Sequence, residues 1–197
     1  MYVLCFSTKT IALLSVSESS KISPLKTLTT TLDCFSIAIL DSKTFLIGTV
    51  EHPRPVCSVD SRGQVEDIKR LALPEKSFCL GNSAIAYIPS TKTVLLTDNT
   101  ENSLLICDIA SGECKTVKDD RISSPKGVCG GPNGTVFVCS SARDSIVQIS
   151  LHGEVITNHR LELAHPSAMA ISSDGSHLVV CNHGEGQDTI MQLFKIL

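Results

Sequence analysis

The hydrophobic residues of this chain fall in short runs that are separated by polar turns, many of which carry glycine. The runs TVLL, TVFVC and HLVVC are apolar at consecutive positions, which is typical of a strand whose two faces are both covered. Threonine, valine, isoleucine and serine dominate these runs, and apolar residues do not recur at helical spacing. The pattern therefore predicts an all-β chain built from many short strands.

The runs recur at a nearly constant interval. Pro125 and Pro166 are 41 residues apart, and Cys139 and Cys181, which end equivalent runs, are 42 apart. Two further copies, one clear and one looser, lie upstream at Ala84–Cys114 and Phe35–Gln64. A period of about 42 residues with four strands in each unit is the signature of a β-propeller blade.

Each unit is predicted to contain four strands joined by tight turns. The turns Pro-Asn-Gly at 132–134 and His-Gly at 152–153 provide the positive φ angles that hairpins need. In the best-defined unit we expect strands at approximately Cys114–Val117, Gly127–Gly130, Thr135–Cys139 and Ser145–Ser150.

The length of the chain indicates how many units it holds. Dividing 197 residues by the repeat of about 42 gives about 4.7 units, which we interpret as about four and a half blades, with a half blade at 1–24. An incomplete ring exposes sheet faces and edges, so we expect a partial propeller whose missing part lies N-terminal. The remaining blades are predicted at 25–64, 65–112, 113–153 and 154–197.

Two of the repeats resemble the NHL family. Its blade opens with P-x-G, continues through a glycine turn to an apolar strand, and then reaches an Asn or Asp loop. The segment Pro125–Val128 followed by Gly134–Val138 matches this order, and Pro166–Ile171 with Asp174-Gly175 matches with Ala168 in place of glycine. The step Leu95–Asn99 resembles the strand-to-loop step of the family.

The resemblance implies a fold and a function. Complete NHL propellers usually have six blades and commonly follow the RING, B-box and coiled-coil modules of tripartite-motif proteins. The chain is then expected to be a non-enzymatic scaffold that binds protein partners, as the substrate-recognition part of a ubiquitin ligase. Any ligase activity would belong to upstream modules, because no RING or B-box ligand pattern occurs in this sequence.

Composition narrows the classes of partner. Apolar residues make up 42% of the chain and charged residues 19%, with a formal net charge of −3. These values exclude a disordered tail and a strongly basic nucleic-acid footprint, so we expect no DNA partner. No uncharged apolar run approaches the length that a membrane helix needs, and no membrane partner is expected.

The nine cysteines favour a reducing compartment. No C-x-x-C pair occurs, and most cysteines lie inside apolar runs, as reduced thiols do when they are buried as small hydrophobic side chains. We therefore expect a cytoplasmic protein. Cys129, in the sequence GVCGG, is interpreted as a strand residue and not as a reactive thiol.

The predicted partner-binding residues occupy the strand-to-loop positions of the better-matched blades. They are Asn99, Glu101, Asn102, Arg143, Asp144, His183 and Glu185. The sequence predicts no catalytic residue, no cofactor and no metal ligand.

Two alternatives stay open. The first is an RNA-binding propeller, for which the basic cluster would be Lys115, Lys118, Arg121, Lys126 and Arg143. The neighbouring acidic residues favour a solvated mixed-charge face instead. The second is a metal-dependent propeller hydrolase or lyase, for which the candidate carboxylates would be Asp98, Asp108, Asp119, Asp120, Asp144 and Asp174.

Overall fold

The computed structural model describes residues 2–5, 9–17, 21–49, 56–68, 71–73, 83–182 and 190–196. These residues form eighteen β-strands and two short 3₁₀ turns. The contacts divide the chain into two compact units, Met1–Lys69 with Pro74–Ile85 and Arg70–Leu73 with Ala86–Leu197. None of the helical segments in the described residues is long and apolar enough to cross a membrane.

The first unit contains two antiparallel sheets, in the orders β1-β2-β3 and β4-β5-β6-β7. Its strands are β1 (Tyr2–Cys5), β2 (Thr10–Val16), β3 (Ile22–Thr29), β4 (Cys34–Ile39), β5 (Thr44–Thr49), β6 (Val56–Asp60) and β7 (Val65–Asp67). The two sheets share one core, in which Ile11 and Leu13 of β2 cluster with Phe45 and Ile47 of β5. Alternate residues of β2 are buried because they face the neighbouring sheet.

The second unit contains three antiparallel sheets. Their orders are β11-β10-β9-β8, β12-β13-β14-β15 and β16-β17-β18. The strands of the first of these sheets are β8 (Ile85–Ile88), β9 (Thr93–Asp98), β10 (Ser103–Asp108) and β11 (Cys114–Lys118). The remaining strands are β12 (Pro125–Gly130), β13 (Thr135–Ser140), β14 (Ser145–Ser150), β15 (Val155–Arg160), β16 (Pro166–Ile171), β17 (His177–Asn182) and β18 (Met191–Lys195).

Strand β13 shows why its sequence is apolar at consecutive positions. Phe137 and Cys139 pack with Leu178 and Val180 of β17, in a core that lies between the β12–β15 sheet and the β16–β18 sheet. Val138, whose side chain points to the opposite face, is also fully buried. Both faces of β13 are therefore covered, as the sequence predicts.

The sheets of the second unit approach one another closely along their first strands. A Cβ added to Gly127 in β12 would lie only 2.9 Å from the Cα of Ala168 in β16. On the other side of β12, the Thr97 hydroxyl donates a hydrogen bond of 2.8 Å to the carbonyl oxygen of Lys126. Glycine at position 127 is thus required by packing.

The predicted turns have the expected backbone. The segment Pro132–Gly134 forms a 3₁₀ turn in which Asn133 has φ 56°, and Gly134 and Gly153 have φ values of 70° and 80°. Glycine and asparagine tolerate this left-handed conformation because they avoid most of the steric conflict that other side chains meet there.

The prediction of an all-β propeller fold is confirmed. The sheets are meanders of consecutive antiparallel strands, and this arrangement is that of propeller blades. The strand at Cys114–Lys118, which the repeat analysis placed at the start of a unit, hydrogen-bonds to β10 of the preceding sheet. The boundaries drawn between blades stay a prediction, since a repeating unit can be cut at any of its strands.

Candidate functional site

Three loops of the second unit meet at one end of its sheets. Because consecutive strands are antiparallel, the loops at 99–102, 119–124 and 141–144 leave their strands in the same direction. The N–H of Ser123 donates to the hydroxyl of Ser140 over 2.9 Å, which joins the second loop to the last residue of β13, from which the third loop leaves. We call this the loop end of the unit.

Asn102 and Asp144, which the sequence predicts as partner-binding residues, each accept a hydrogen bond that links neighbouring sheets. The Oδ1 atom of Asn102 accepts a hydrogen bond of 2.7 Å from the N–H of Ser124. The Oδ1 atom of Asp144 accepts one of 2.8 Å from the N–H of His165. Each bond crosses from the loop of one sheet to the residue that precedes the first strand of the next sheet.

The backbone explains why these positions carry Asn and Asp. Asn102 and Asp144 both have φ 50°, and the residues that donate to them, Ser124 and His165, have φ 45° and 52°. Asn and Asp adopt the left-handed region at lower cost than most residues do. Their short side chains also place an oxygen close to the adjacent backbone. We refer to these two contacts as the inter-sheet bonds.

Asn99 also has a structural contact. Its amide nitrogen donates to the carbonyl oxygen of Pro125 over 3.4 Å, which again reaches the following sheet. Asp98 stabilises the same loop, because its Oδ1 atom accepts hydrogen bonds of 3.0 Å from the N–H groups of Thr100 and Glu101.

Glu101 and Arg143 line a cleft at the loop end. The cleft has a volume of about 380 Å³. Glu101 forms a 2.8 Å ion pair with Lys118, whereas Arg143 is exposed. The complete lining consists of Glu101, Asn102, Lys118, Asp119, Asp120, Ile122, Ser123 and Arg143.

The charges around the cleft are largely paired. Arg121 contacts both carboxylate oxygens of Asp119, with Nε–Oδ1 and Nη2–Oδ2 distances of 2.7 and 2.8 Å. These side-chain hydrogen bonds from Arg121 lower the pKa of Asp119 to about 2. The pair is therefore ionised at neutral pH and presents a dipole to solvent instead of a free cation.

Two of the predicted partner-binding residues, His183 and Glu185, lie outside the described residues. Of the other five, the structure brings Glu101, Asn102 and Arg143 to the cleft. Residues of the 119–124 loop were missing from the predicted set, although they contribute half of the lining. The repeat register offered a signal for them, because this loop precedes Pro125 as the loop at 161–165 precedes Pro166.

The basic residues weighed for RNA binding do not form a continuous surface of free cations. Lys118 and Arg121 have acidic partners, as described above. Lys115 donates to the carbonyl oxygen of His152, and Lys126 is half-buried in β12. Lys115, Lys126 and Arg143 have no acidic partner within the described residues.

The candidate metal-binding carboxylates include residues that accept hydrogen bonds in turns. Asp174 accepts from the Ser172 hydroxyl over 2.5 Å, and this bond, with others from Ser176, holds the pKa of Asp174 well below its usual range. Oδ1 of Asp108 accepts from the N–H of Ala110. Within the described part of the chain, no group of three or more His, Cys, Asp or Glu side chains is arranged to hold a metal ion.

The cysteines of the second unit include free thiols and one disulfide-bonded pair. Cys129 is buried, and burial raises the pKa of its thiol to about 12, which suppresses nucleophilic reactivity. Burial raises the pKa of Cys139 as well. Cys107 and Cys114 are joined by a disulfide. This bond differs from the expectation of reduced thiols, and it is possible because the two residues face each other across β10 and β11.

Comparison with known proteins supports the fold class alone. No protein-family model matches the chain, and no curated protein matches it. Solved structures do match, at low sequence identity. Hydrazine synthase of Kuenenia stuttgartiensis superimposes with a TM-score of 0.65 at 21% identity, over 82% of this chain and 46% of that one.

Two further solved structures share the fold over most of this chain. A chain of a nidogen/laminin complex matches with a TM-score of 0.68 at 15% identity, over 91% of this chain and 69% of its own length. Virginiamycin B lyase of Staphylococcus aureus matches with a TM-score of 0.63 at 16% identity, over 98% of this chain and 70% of the lyase chain. The chain thus spans about half of the hydrazine synthase chain and more of the others, and it has the fold of a β-propeller.

Proposed function

We propose that this protein is a non-enzymatic recognition module that binds a protein partner at the loop end of its second unit. The observation that carries the proposal is the cleft that brings Glu101, Asn102 and Arg143 together beside the 119–124 loop. Loops held on a rigid β scaffold are the usual place for recognition residues. Glu101 and Arg143 supply the contacts, and Asn99, Asn102 and Asp144 position the loops that carry them.

A protein partner fits this cleft better than RNA does. Single-stranded RNA is bound by free cations that track phosphates and by aromatic side chains that stack on bases. The residues that line the cleft include no aromatic side chain, and Lys118 is paired with Glu101. Paired charges with unused hydrogen-bonding capacity are typical of the polar rim of protein interfaces.

The finer part of the proposal rests on the NHL resemblance. We infer that the chain serves as the substrate-recognition part of a tripartite-motif ubiquitin ligase, with the ligase chemistry in modules outside this sequence. The match to a chain from a nidogen/laminin complex is consistent with a protein-binding role for the fold. The match to a lyase extends to the fold alone, at 16% identity.

A cytoplasmic location belongs to the same proposal. Its support is the burial of Cys129 and Cys139 as thiols within the core between sheets. The disulfide between Cys107 and Cys114 weighs against it, because such bonds persist mainly in oxidising compartments.

Site-specific photo-crosslinking tests the proposal. A photoreactive amino acid is placed at Arg143 in the cleft and, as a matched control, at Ser173, which is exposed in the hairpin turn at the opposite end of the sheets. We expect a discrete protein adduct from position 143, none from position 173, and loss of the adduct when Glu101→Lys reverses the neighbouring charge.

Two results would overturn the proposal. A protein adduct of equal yield from both positions would show that the cleft has no special role. Tight binding of a random-sequence single-stranded RNA, with an affinity that falls steeply as salt increases, would favour the RNA-binding alternative.

A further inference from the structure

The disulfide between Cys107 and Cys114 joins the third and fourth strands of the β8–β11 sheet. The two residues lie directly opposite each other in the ladder between β10 and β11. In the adjacent pair, the N–H of Asp108 donates a hydrogen bond to the carbonyl oxygen of Glu113. Because hydrogen-bonded and non-hydrogen-bonded pairs alternate, the cysteines form a pair of the second kind, in which side chains lie closer together.

The equivalent pair of the next sheet is apolar. Ile149 of β14 lies opposite Val155 of β15, and these residues follow Cys107 and Cys114 by 42 and 41 positions. Ile149 is fully buried. Hydrophobic contact therefore joins the last two strands of that sheet without a covalent bond, so the disulfide of the β8–β11 sheet is not required for such a hairpin to form.

The two sulfur atoms differ in their access to solvent. Cys107 is fully buried, whereas Cys114 is partly exposed and lines a cleft of about 610 Å³. This cleft lies opposite the loop end, because β11 begins at Cys114 and the loop end follows Lys118. Clefts of this size admit small molecules. A small thiol can therefore reach the Sγ atom of Cys114 but not that of Cys107.

β11 is held to its unit by little buried surface. Val117 is the buried residue of its five, and most of the others are exposed. Val117 packs against the turn at Gly153, where an added Cβ would lie 2.9 Å from its Cγ2 atom. The exposed ion pair between Lys118 and Glu101 contributes little. The disulfide is therefore a substantial part of what holds β11, beside its backbone ladder and Val117.

β11 leads directly into the cleft at the loop end. It ends at Lys118, which lines that cleft, and the 119–124 loop that follows contributes half of the lining. At the usual rise of a strand, Cys114 lies about 13 Å from Lys118. A change in how firmly β11 is held at Cys114 therefore acts on the loop end through one short strand.

We propose that the Cys107–Cys114 disulfide is a reversible redox site that controls the cleft at the loop end, an inference that rests on the function proposed above. The oxidised form holds β11 and the 119–124 loop in the arrangement that binds the partner. Reduction frees the start of β11, loosens the loop and weakens binding. Disulfides of cytoplasmic proteins are mostly transient and redox-sensing, so a reversible bond agrees with the proposed location.

The reductant is a small thiol of the glutathione class. Its thiolate attacks the Sγ atom of Cys114, the bond between the two cysteines breaks, and Cys107 leaves as a thiolate that takes up a proton. A second molecule of the reductant attacks the mixed disulfide and releases Cys114 as a thiol. Two reductant thiols are thereby oxidised to one disulfide while the protein disulfide is reduced to two thiols. The reverse sequence restores the bond.

Hydrogen exchange of the wild type in oxidised and in reduced glutathione tests the redox site, with thiol alkylation to report the state of the two cysteines. We expect the amides of residues 114–124 to exchange at least about tenfold faster after reduction, and those of β13 to keep their rates. The matched control is Cys107→Ile with Cys114→Val, which installs the apolar pair of the next sheet. Its exchange over 114–124 should be equally slow in both buffers.

Crosslinking from position 143 tests the effect on binding. We expect reduction to lower the adduct yield of the wild type at least about fivefold and to leave that of the double variant unchanged. Equal exchange over 114–124 in both states, a similar acceleration in β13, or a disulfide that glutathione neither breaks nor restores would overturn the inference.

The two proposals can fail separately. An adduct of equal yield in both redox states would overturn control by the disulfide and leave the recognition function standing. No adduct in either state would overturn the recognition function, and the exchange rates alone would then decide whether the disulfide controls the 119–124 loop.

Discussion

The sheets β12–β15 and β16–β18 have similar sequences but different surroundings. Their second strands, TVFVCS and HLVVCN, are both apolar runs. β13 is buried at every position after the first, whereas β17 alternates between buried and partly exposed residues. The first sheet has a neighbouring sheet on each face, and the second sheet is covered on the face that bears Leu178 and Val180.

The inter-sheet bonds differ in the same way, because the β12–β15 sheet is bonded on both sides and the β16–β18 sheet takes part in one such bond. The β12–β15 sheet is bonded on one side through Asn102 to Ser124 and on the other through Asp144 to His165. The β16–β18 sheet takes part in the second of these bonds. The comparison teaches that the apolar run specifies a strand, while its neighbours decide how much of the strand is buried.

The largest expected difference between the two sheets is in thiol reactivity. Cys139 and Cys181 occupy equivalent positions, but Cys139 is fully buried and Cys181 is partly exposed. Cys129, which lies beside Cys139, has a pKa of about 12 instead of the ordinary 9.0. This difference leaves roughly a thousandfold less thiolate at neutral pH. We expect iodoacetamide to modify Cys181 at least about a hundredfold faster than Cys129 or Cys139, as measured by peptide mass spectrometry.

Denatured protein is the control for this experiment, since all thiols should then react at similar rates. Raising the pH by one unit within the stable range should speed the modification of Cys129 about tenfold, because its pKa lies well above the pH, yet its rate should stay far below that of Cys181. Equal rates for Cys139 and Cys181 in the folded protein would contradict the comparison.

Truncation of one buried and one partly exposed valine should show the next largest effect. Val138 in β13 is fully buried, and Val179 in β17 is partly exposed. Val138→Ala removes buried methyl groups and leaves a cavity, so we expect a loss of about 2 to 3 kcal/mol in the free energy of unfolding. Val179→Ala should cost less than about 1 kcal/mol, because solvent or a shift of side chains fills the space. Urea denaturation measures both, and equal losses would mean that the open face is covered in solution.

Removal of an inter-sheet bond should have a smaller effect. Asp144→Ala deletes the acceptor for the His165 N–H and leaves alanine at φ 50°. We expect a loss of about 1 to 2 kcal/mol in unfolding free energy. Asp144→Gly separates the two causes, because glycine removes the hydrogen bond but tolerates the backbone.

The neighbouring Arg143→Ala is the control that distinguishes structure from recognition. Arg143 is exposed, so its loss should change stability by no more than about 0.5 kcal/mol. An Asp144→Ala variant as stable as Arg143→Ala would refute the structural role given to Asp144.

Much of the fold could be predicted from the sequence. Consecutive apolar residues and turns with glycine locate β13 and β14 within one residue of their observed bounds. The pairing of Cys114–Lys118 with β10 could not be predicted in this way, because the repeat fixes the order of strands and not the place where one sheet ends.

The candidate site was harder to predict than the fold. The strand-to-loop register locates Glu101 and Arg143 at a cleft, but it treats Asn102 and Asp144 as equivalent to them. Their left-handed backbone and their bonds across sheets depend on spatial neighbours. The recurrence of Asn or Asp before one strand, 22 and 21 residues ahead of Ser124 and His165, is the signal that could have revealed this role.

The inter-sheet bonds also bear on how such a protein can evolve. Each bond requires a side-chain oxygen at one position, Asn102 or Asp144, and a backbone N–H in the next repeat. The adjacent residues, Glu101 and Arg143, are not bound by that requirement. Under the recognition function proposed above, mutations can therefore diversify what the loops bind while the alignment of successive repeats is inherited unchanged, so new specificities can arise without a new scaffold.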